Sequence, residues 1–305
     1  MKQLLRKFAL AVLLCAAIIA AHAGHAMAGG SKPPPPAKYP VVLSHGFLGF
    51  DELLGVVPYF YRIPEALRDE GHTAFTTEVS SFNSIAVRGE QLVEQIEEIR
   101  AITGKSKVNL LGHSMGGLDV RYAAHVLGAT KVASVTTMGT PHRGAPGPDI
   151  LVQILEGDPT GISPALLNAL GTVFGGYITN GDLSLPQDAT TAVINLSSPF
   201  LYQWNQEFTN VPGIYYQSYT GSSVFNISLD PLDAVMAVAS VLFLFEPNDG
   251  LVGVNSAKWG NQRNMNLNAN HMDEVNQLLG STGLFGLDAR GLYKDIARDL
   301  QKRGY

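Results

Sequence analysis

The sequence predicts an α/β protein with a mostly parallel central sheet, helices flanking it and a helical insertion late in the chain. Three observations carry that expectation. From Tyr39 onward, short apolar runs alternate with segments of helical periodicity. The chain has 305 residues, 46% of them hydrophobic, enough to bury a sizeable core. Its single cysteine, Cys15, lies in the leading segment, so the fold needs neither a disulfide nor a cysteine metal site.

Met1 to Lys7 carries Lys2, Arg6 and Lys7, and Phe8 to Ala21 is an unbroken apolar run of 14. Ala21-His22-Ala23 and Ala26-Met27-Ala28 both offer small residues for cleavage, so residues 1–28 read as a secretory signal peptide and the protein as secreted. The run falls short of the roughly 20 residues of a spanning helix, so no stable membrane anchor is expected. Without that segment 18 basic residues face 26 acidic ones, a balance that argues against a nucleic-acid partner. Residues 29–38 form a stiff proline-rich leader, with Pro33 to Pro36 consecutive. Residues 39–305 then form one domain.

Within it, Pro40 to Ser44 and Thr73 to Val79 read as strands. Val87 to Ile102 reads as a helix with Leu92, Ile96 and Ile99 on one face and Glu90, Glu94 and Glu97 on the other. Val108 to Leu111 is a buried strand, Met115 to Leu127 a helix and Val132 to Met138 a further strand. After Pro141 the rhythm breaks into an insertion at about 145–213, before strand-like Ile214 to Tyr219 resumes the sheet. Leu287 to Arg303 reads as a closing helix.

Gly112-His113-Ser114-Met115-Gly116 fits G-x-S-x-G between a strand and a helix, the setting of a nucleophilic serine on a sharp turn. Glycines stand two residues either side because side chains there would clash, and Gly117 relieves crowding further. In such a fold the chain order is serine, acid, histidine. His142 fails that order, because only Asp119, on the elbow's own helix, lies between Ser114 and it; His271 remains as the base. Eleven carboxylates lie between Ser114 and His271, of which Asp249, in the tight turn Asn248-Asp249-Gly250, is the first choice, with Asp233 and Glu246 in reserve. The oxyanion donors are the backbone N–H groups of Met115 and of Phe47, in the glycine loop His45 to Gly49.

Taken with Leu43 to Phe50, Asn248 to Gly253 and Asn270 to Gln277, these blocks resemble the secreted bacterial triacylglycerol lipases of the Pseudomonas and Burkholderia type, lipase family I of the α/β-hydrolase fold. The resemblance implies hydrolysis of triacylglycerols at a lipid–water interface by the triad Ser114, Asp249 and His271. An esterase for short or polymeric esters is the alternative within the same chemistry, and a non-catalytic binding module on the same fold is the alternative from a different class. It also implies one structural calcium ion, held by the carboxylates of Asp230 and Asp273 and the carbonyls of Gln277 and Ser281. From the residues alone, Asp230-Pro231-Leu232-Asp233 reads rather as a helix start, with Asp at the N-cap and Pro at the first position, and it is the resemblance that favours the metal ligand. Several relatives have a disulfide near the acid loop, which this chain cannot form; some fold with a dedicated helper protein, a need that the sequence leaves open. A mobile apolar lid is expected at Gly161 to Asn180, where Leu166, Leu170, Val173 and Tyr177 recur at helical spacing on one face.

Overall fold

The computed structural model describes residues 35–47, 49, 52–53, 57–161, 163–169, 185–224, 231–280 and 286–305. The signal-peptide expectation lies outside the described residues. Six strands form the main sheet: β1 Val41–Ser44, β2 Ala74–Thr77, β3 Val108–His113, β4 Val132–Met138, β5 Tyr215–Gly221 and β6 Asn261–Leu267. Their order is β2-β1-β3-β4-β5-β6, and every neighbouring pair is parallel.

That order reverses direction between β1 and β3, so the loops leaving their carboxyl ends part and open a crevice. Ser44 pairs in register with Gly112. Carried two residues further, that register brings Gly46 of the glycine loop beside Ser114.

Alternation along β1 and β3 divides the core between the two faces of the sheet. Val41, Leu43 and Leu111 pack with Ile63 and Leu67 of helix α1 (Ile63–Asp69) and with Tyr293, Ile296 and Leu300 of the C-terminal helix Ala289–Lys302. Val42 and Leu110 face the other way, onto Leu92 and Ile96 of α2 (Ile85–Thr103) and Val120 and Ala123 of α3 (Gly116–Leu127). The predicted face of α2 is the buried one. Its start is fixed by the Ser84 side chain, which accepts from the Val87 N–H, and its end by Gly104 at φ 65°.

Between β4 and β5 the chain leaves the sheet for α4 (Pro146–Glu156), a short helix at 163–169, α5 (Ala189–Asn195) and α6 (Ser198–Glu207). This is the insertion expected from the broken rhythm. Helix α7 (Pro231–Ser240) and a 3-10 turn at Val241–Phe243 follow β5. Strand β6 was not expected: Asn-Gln-Arg-Asn-Met-Asn-Leu has no apolar run, because it lies at the sheet edge with most side chains in solvent. Among the described residues no helix is long and apolar enough to cross a membrane.

Candidate active site

Ser114 leaves β3 at φ 55°, a conformation costly for a residue with a Cβ and characteristic of functional strain. The crowding around it explains the glycines. A Cβ on Gly112 would run into the backbone of Gly116, one on Gly116 into the carbonyl of Ser44, and one on Gly117 into the Thr140 side chain. A Cβ on Gly46 would lie 2.6 Å from Ser114 Cβ and 3.1 Å from its Oγ, so the glycine loop approaches the nucleophile as closely as a bare backbone can.

His271 Nδ1 donates to Asp249 Oδ2 at 2.8 Å, and the His271 N–H donates to the Asp249 carbonyl at 2.8 Å. The other carboxylate oxygen, Oδ1, accepts from Leu251 N at 2.9 Å and Val252 N at 2.7 Å. Both oxygens are thus committed, and the imidazole is left with its Nε2 lone pair free to accept a proton. Of the three carboxylates weighed in the sequence, the tertiary fold gives the place at His271 to Asp249. Asp233 instead accepts from Asn270 Nδ2 at 2.7 Å, and Glu246 from Asn255 N at 2.8 Å. The excluded His142 is buried between Arg121 and Thr137, and burial holds its pKa well below the usual histidine value.

Ser114 and His271 open into a cavity of about 600 Å³ whose walls include Phe47, Phe82, Leu196, Met236, Phe243 and Val252. Met115 opens the turn into α3, and Phe47 closes the opposite wall against the edge of Phe82, ring centroids 5.1 Å apart. The two expected oxyanion donors therefore belong to loops that flank the nucleophile. A buried carboxylate, a histidine fixed by it and a strained serine beside an apolar cavity can perform nucleophilic acyl transfer.

Residues 39–169 match the family described as alpha/beta hydrolase fold. The chain is 35% identical to a triacylglycerol lipase of Vibrio cholerae, over 88% of this chain and 89% of that one. It is 32% identical to a triacylglycerol lipase of Burkholderia plantarii, over 88% and 87%. The chain belongs to the bacterial triacylglycerol lipases of the α/β-hydrolase fold. The Staphylococcus hyicus lipase crystal structure shares that fold, with a TM-score of 0.64 at 19% identity over 90% of this chain and 98% of that one.

Around this lipase's histidine lies a polar cluster that the sequence did not reveal. The rings of His113 and His271 stand 4.5 Å apart. His113 bonds Tyr59 Oη at 2.7 Å through Nδ1 and Glu274 Oε2 at 3.2 Å through Nε2. The second oxygen of Glu274 accepts from the Gly221 N–H. Burial, then the nearby Asp249 charge, pushes Glu274 well above the usual carboxylate range, and burial keeps His113 well below its ordinary value. Glu274 stands three residues past His271 on a polar loop; nothing in its local sequence distinguishes it from a solvated acid.

Of the expected calcium ligands, Asp230 and Ser281 lie outside the described residues. Asp273 is 1% exposed and its Oδ2 accepts from Asn270 N at 3.0 Å. Gln277 Nε2 donates to the Pro58 and Tyr59 carbonyls.

The lid expectation needs correction at Leu166. On the 163–169 helix Leu166 is 58% exposed, and Leu167 lines the cavity instead. The rotation is set by Asn168, whose Oδ1 accepts from Thr190 N at 2.8 Å, and by the Pro164 carbonyl, which accepts from Thr190 Oγ1 at 3.2 Å. Periodicity locates an apolar stripe but cannot see such an anchor. Leu170, Val173 and Tyr177 lie outside the described residues.

Proposed function

We propose that this lipase is secreted and cleaves long-chain triacylglycerols at an oil–water surface through an acyl-enzyme on Ser114. The observation that carries the reading is the His271–Asp249 bond at 2.8 Å, facing the same apolar cavity as a serine at φ 55°. Ser114 Oγ attacks the ester carbonyl while His271 Nε2 takes its proton. Asp249 holds the imidazole in the accepting tautomer and stabilises the imidazolium. The tetrahedral oxyanion is received by the N–H groups of Phe47 and Met115. His271 then returns the proton to the leaving alcohol, and water repeats the cycle on the acyl-enzyme.

Exposed apolar side chains favour insoluble over dissolved esters. Val235, Val238, Val241, Leu244 and Phe245 are 54%, 75%, 69%, 83% and 100% exposed, on the element that supplies Met236 and Phe243 to the cavity wall. Asp233 is the one charged residue from Pro231 to Phe245, which suits a neutral acyl surface. The lid belongs to the same reading, with the segment 161–180 moving aside at the surface.

Calcium is the proposed cofactor. Carboxylates of Asp230 and Asp273 with carbonyls of Gln277 and Ser281 form an all-oxygen donor set of the kind this hard cation takes. The ion would supply a cross-link two residues from His271, in a chain with no disulfide.

Labelling with a fluorophosphonate, followed by hydrolysis of an acyl series from acetate to oleate above and below solubility, tests the proposal. The label should sit on Ser114 alone, and activity should rise as droplets form. Absence of labelling would end the serine mechanism. Preference for dissolved acetate esters, with smooth saturation through the solubility limit, would move the protein to the short-ester reading.

A further inference from the structure

Arg88 of α2 and Asp119 of α3 are both fully buried, with side-chain exposures of 0%. Arg88 donates through Nε and Nη2 to Asp119 Oδ2, at 2.9 and 2.7 Å. Its Nη1 donates to the Ser80 carbonyl, and its Nη2 also to the carbonyls of His45 at 2.8 Å and Gly46 at 3.3 Å. Stability alone gives little reason for such a pair, because taking two charges out of water costs several kcal/mol each and apolar replacements are often as stable. Asp119 Oδ1 has no hydrogen-bond partner among the described residues, and burial lifts the Asp119 pKa to about 6 against the pull of Arg88.

The geometry of the peptide bond gives the pair a task. In a trans peptide the C=O and the following N–H point in opposite directions. The Gly46 carbonyl is held on the core side by the guanidinium at 3.3 Å together with the Gly49 N–H and His45 Nδ1, each at 3.0 Å, which turns the Phe47 N–H toward the cavity, where Ser114 lies. The peptide before it is held in the same sense, with the His45 carbonyl on Arg88. At the other end, Asp119 lies in the first turn of α3, and its N–H donates to the Met115 carbonyl at 3.1 Å.

We infer that Arg88 and Asp119 are positioning residues for the oxyanion hole, a buried strut that fixes the Phe47 donor of one loop against the Met115 donor of another. The fork of Arg is needed, since a lysine ammonium cannot hold one carboxylate oxygen and several carbonyls in a fixed plane. Neither residue touches the substrate. The inference rests on the oxyanion roles proposed above for Phe47 and Met115.

The test compares wild type with Arg88→Lys, Asp119→Asn and the double variant Arg88→Met with Asp119→Leu. Each is assayed on a soluble p-nitrophenyl oxoester and on the matching thionoester, with melting temperature alongside. Sulfur accepts hydrogen bonds weakly, so a preference for the oxoester reports on the hole itself. The double variant should melt within a few degrees of wild type yet lose about 100-fold in kcat, the scale of a lost oxyanion donor, with KM within threefold. Its oxoester preference should shrink by a similar factor, and Arg88→Lys should fail to rescue it. If the double variant does not fold, the isosteric Asp119→Asn decides by the same ratio. A folded variant with kcat within threefold of wild type overturns the strut. So does a loss of kcat with the oxoester preference unchanged, which would mark a purely structural role. Failure of wild type to hydrolyse the oxoester would instead strike at the proposed function.

Discussion

Substituting alanine for Gly46 places one methyl group directly against Ser114. The added carbon would stand 2.6 Å from Ser114 Cβ, 3.1 Å from Ser114 Oγ and 3.0 Å from the Tyr59 hydroxyl. Carbon atoms rest about 3.5–4.0 Å apart, so the glycine loop must retreat by about 1 Å. Gly46 is not among the residues with positive φ, so alanine meets no backbone strain there and the effect is steric alone. A misplacement of about 1 Å near reacting groups costs on the order of 100-fold in rate, or about 2.7 kcal/mol of barrier. Loss of one oxyanion donor gives the same scale, about 100- to 1000-fold. Overpacking should remove about 1–3 kcal/mol of stability, a few degrees of melting temperature. Steady-state kinetics on a short p-nitrophenyl ester below its solubility limit, with a melting curve, check this: kcat should fall about 100-fold with KM little changed. A kcat within threefold of wild type would refute the close approach of the loop to the nucleophile. A higher KM with kcat intact would place Gly46 in substrate binding.

Ser114→Ala and His271→Ala should each leave less than about a hundredth of wild-type turnover, without additive loss in the double variant, because the groups act as one unit; titration of product release checks both. A calcium chelator should lower melting temperature and activity together, since an ion binding only the folded state stabilises it and Asp273 adjoins the His271 loop; superimposable calorimetric traces with calcium and with chelator would favour the helix-cap reading of Asp230. Stability should decline on acidification, as follows from the buried groups. His45, held near pKa 3 by burial and Arg88, and His113 and His142, held well below 6.5, take up protons only on unfolding below about pH 6.5. Glu274, raised well above its usual value, and Asp119, raised to about 6, bind protons in the folded state and oppose them. With His72 also lowered, the histidines that charge on unfolding outnumber the two raised carboxyls between about pH 6 and 4.5, so the unfolded chain binds more protons and stability falls as the pH falls, measurable by urea titration. A flat or rising profile across that range would contradict the burial of the three neutral histidines.

What the sequence determined by itself is what short-range sterics and periodicity control. The elbow at Ser114 was legible because a strained turn between strand and helix tolerates only glycine at Gly112 and Gly116, where the chain crosses backbone. The buried face of α2 was legible because Leu92 and Ile96 recur at the helical period. Chain order alone singled out His271 over His142 as the candidate base. Tertiary structure chose Asp249 over Asp233 and Glu246, since that choice depends on which loop the sheet carries to His271, not on any local feature of the acids. It also recruited Arg88 to Asp119 across 31 residues and His113 to Glu274 across 161. It turned Leu167 rather than Leu166 inward through the bond from Thr190 to Asn168. It formed the edge strand β6 from polar residues that solvent accepts on the outside of a sheet. These outcomes share one physical cause. A charged or polar side chain becomes a core partner or stays a solvated surface group according to what the rest of the chain packs against it, and that burial is a property of contacts remote in sequence.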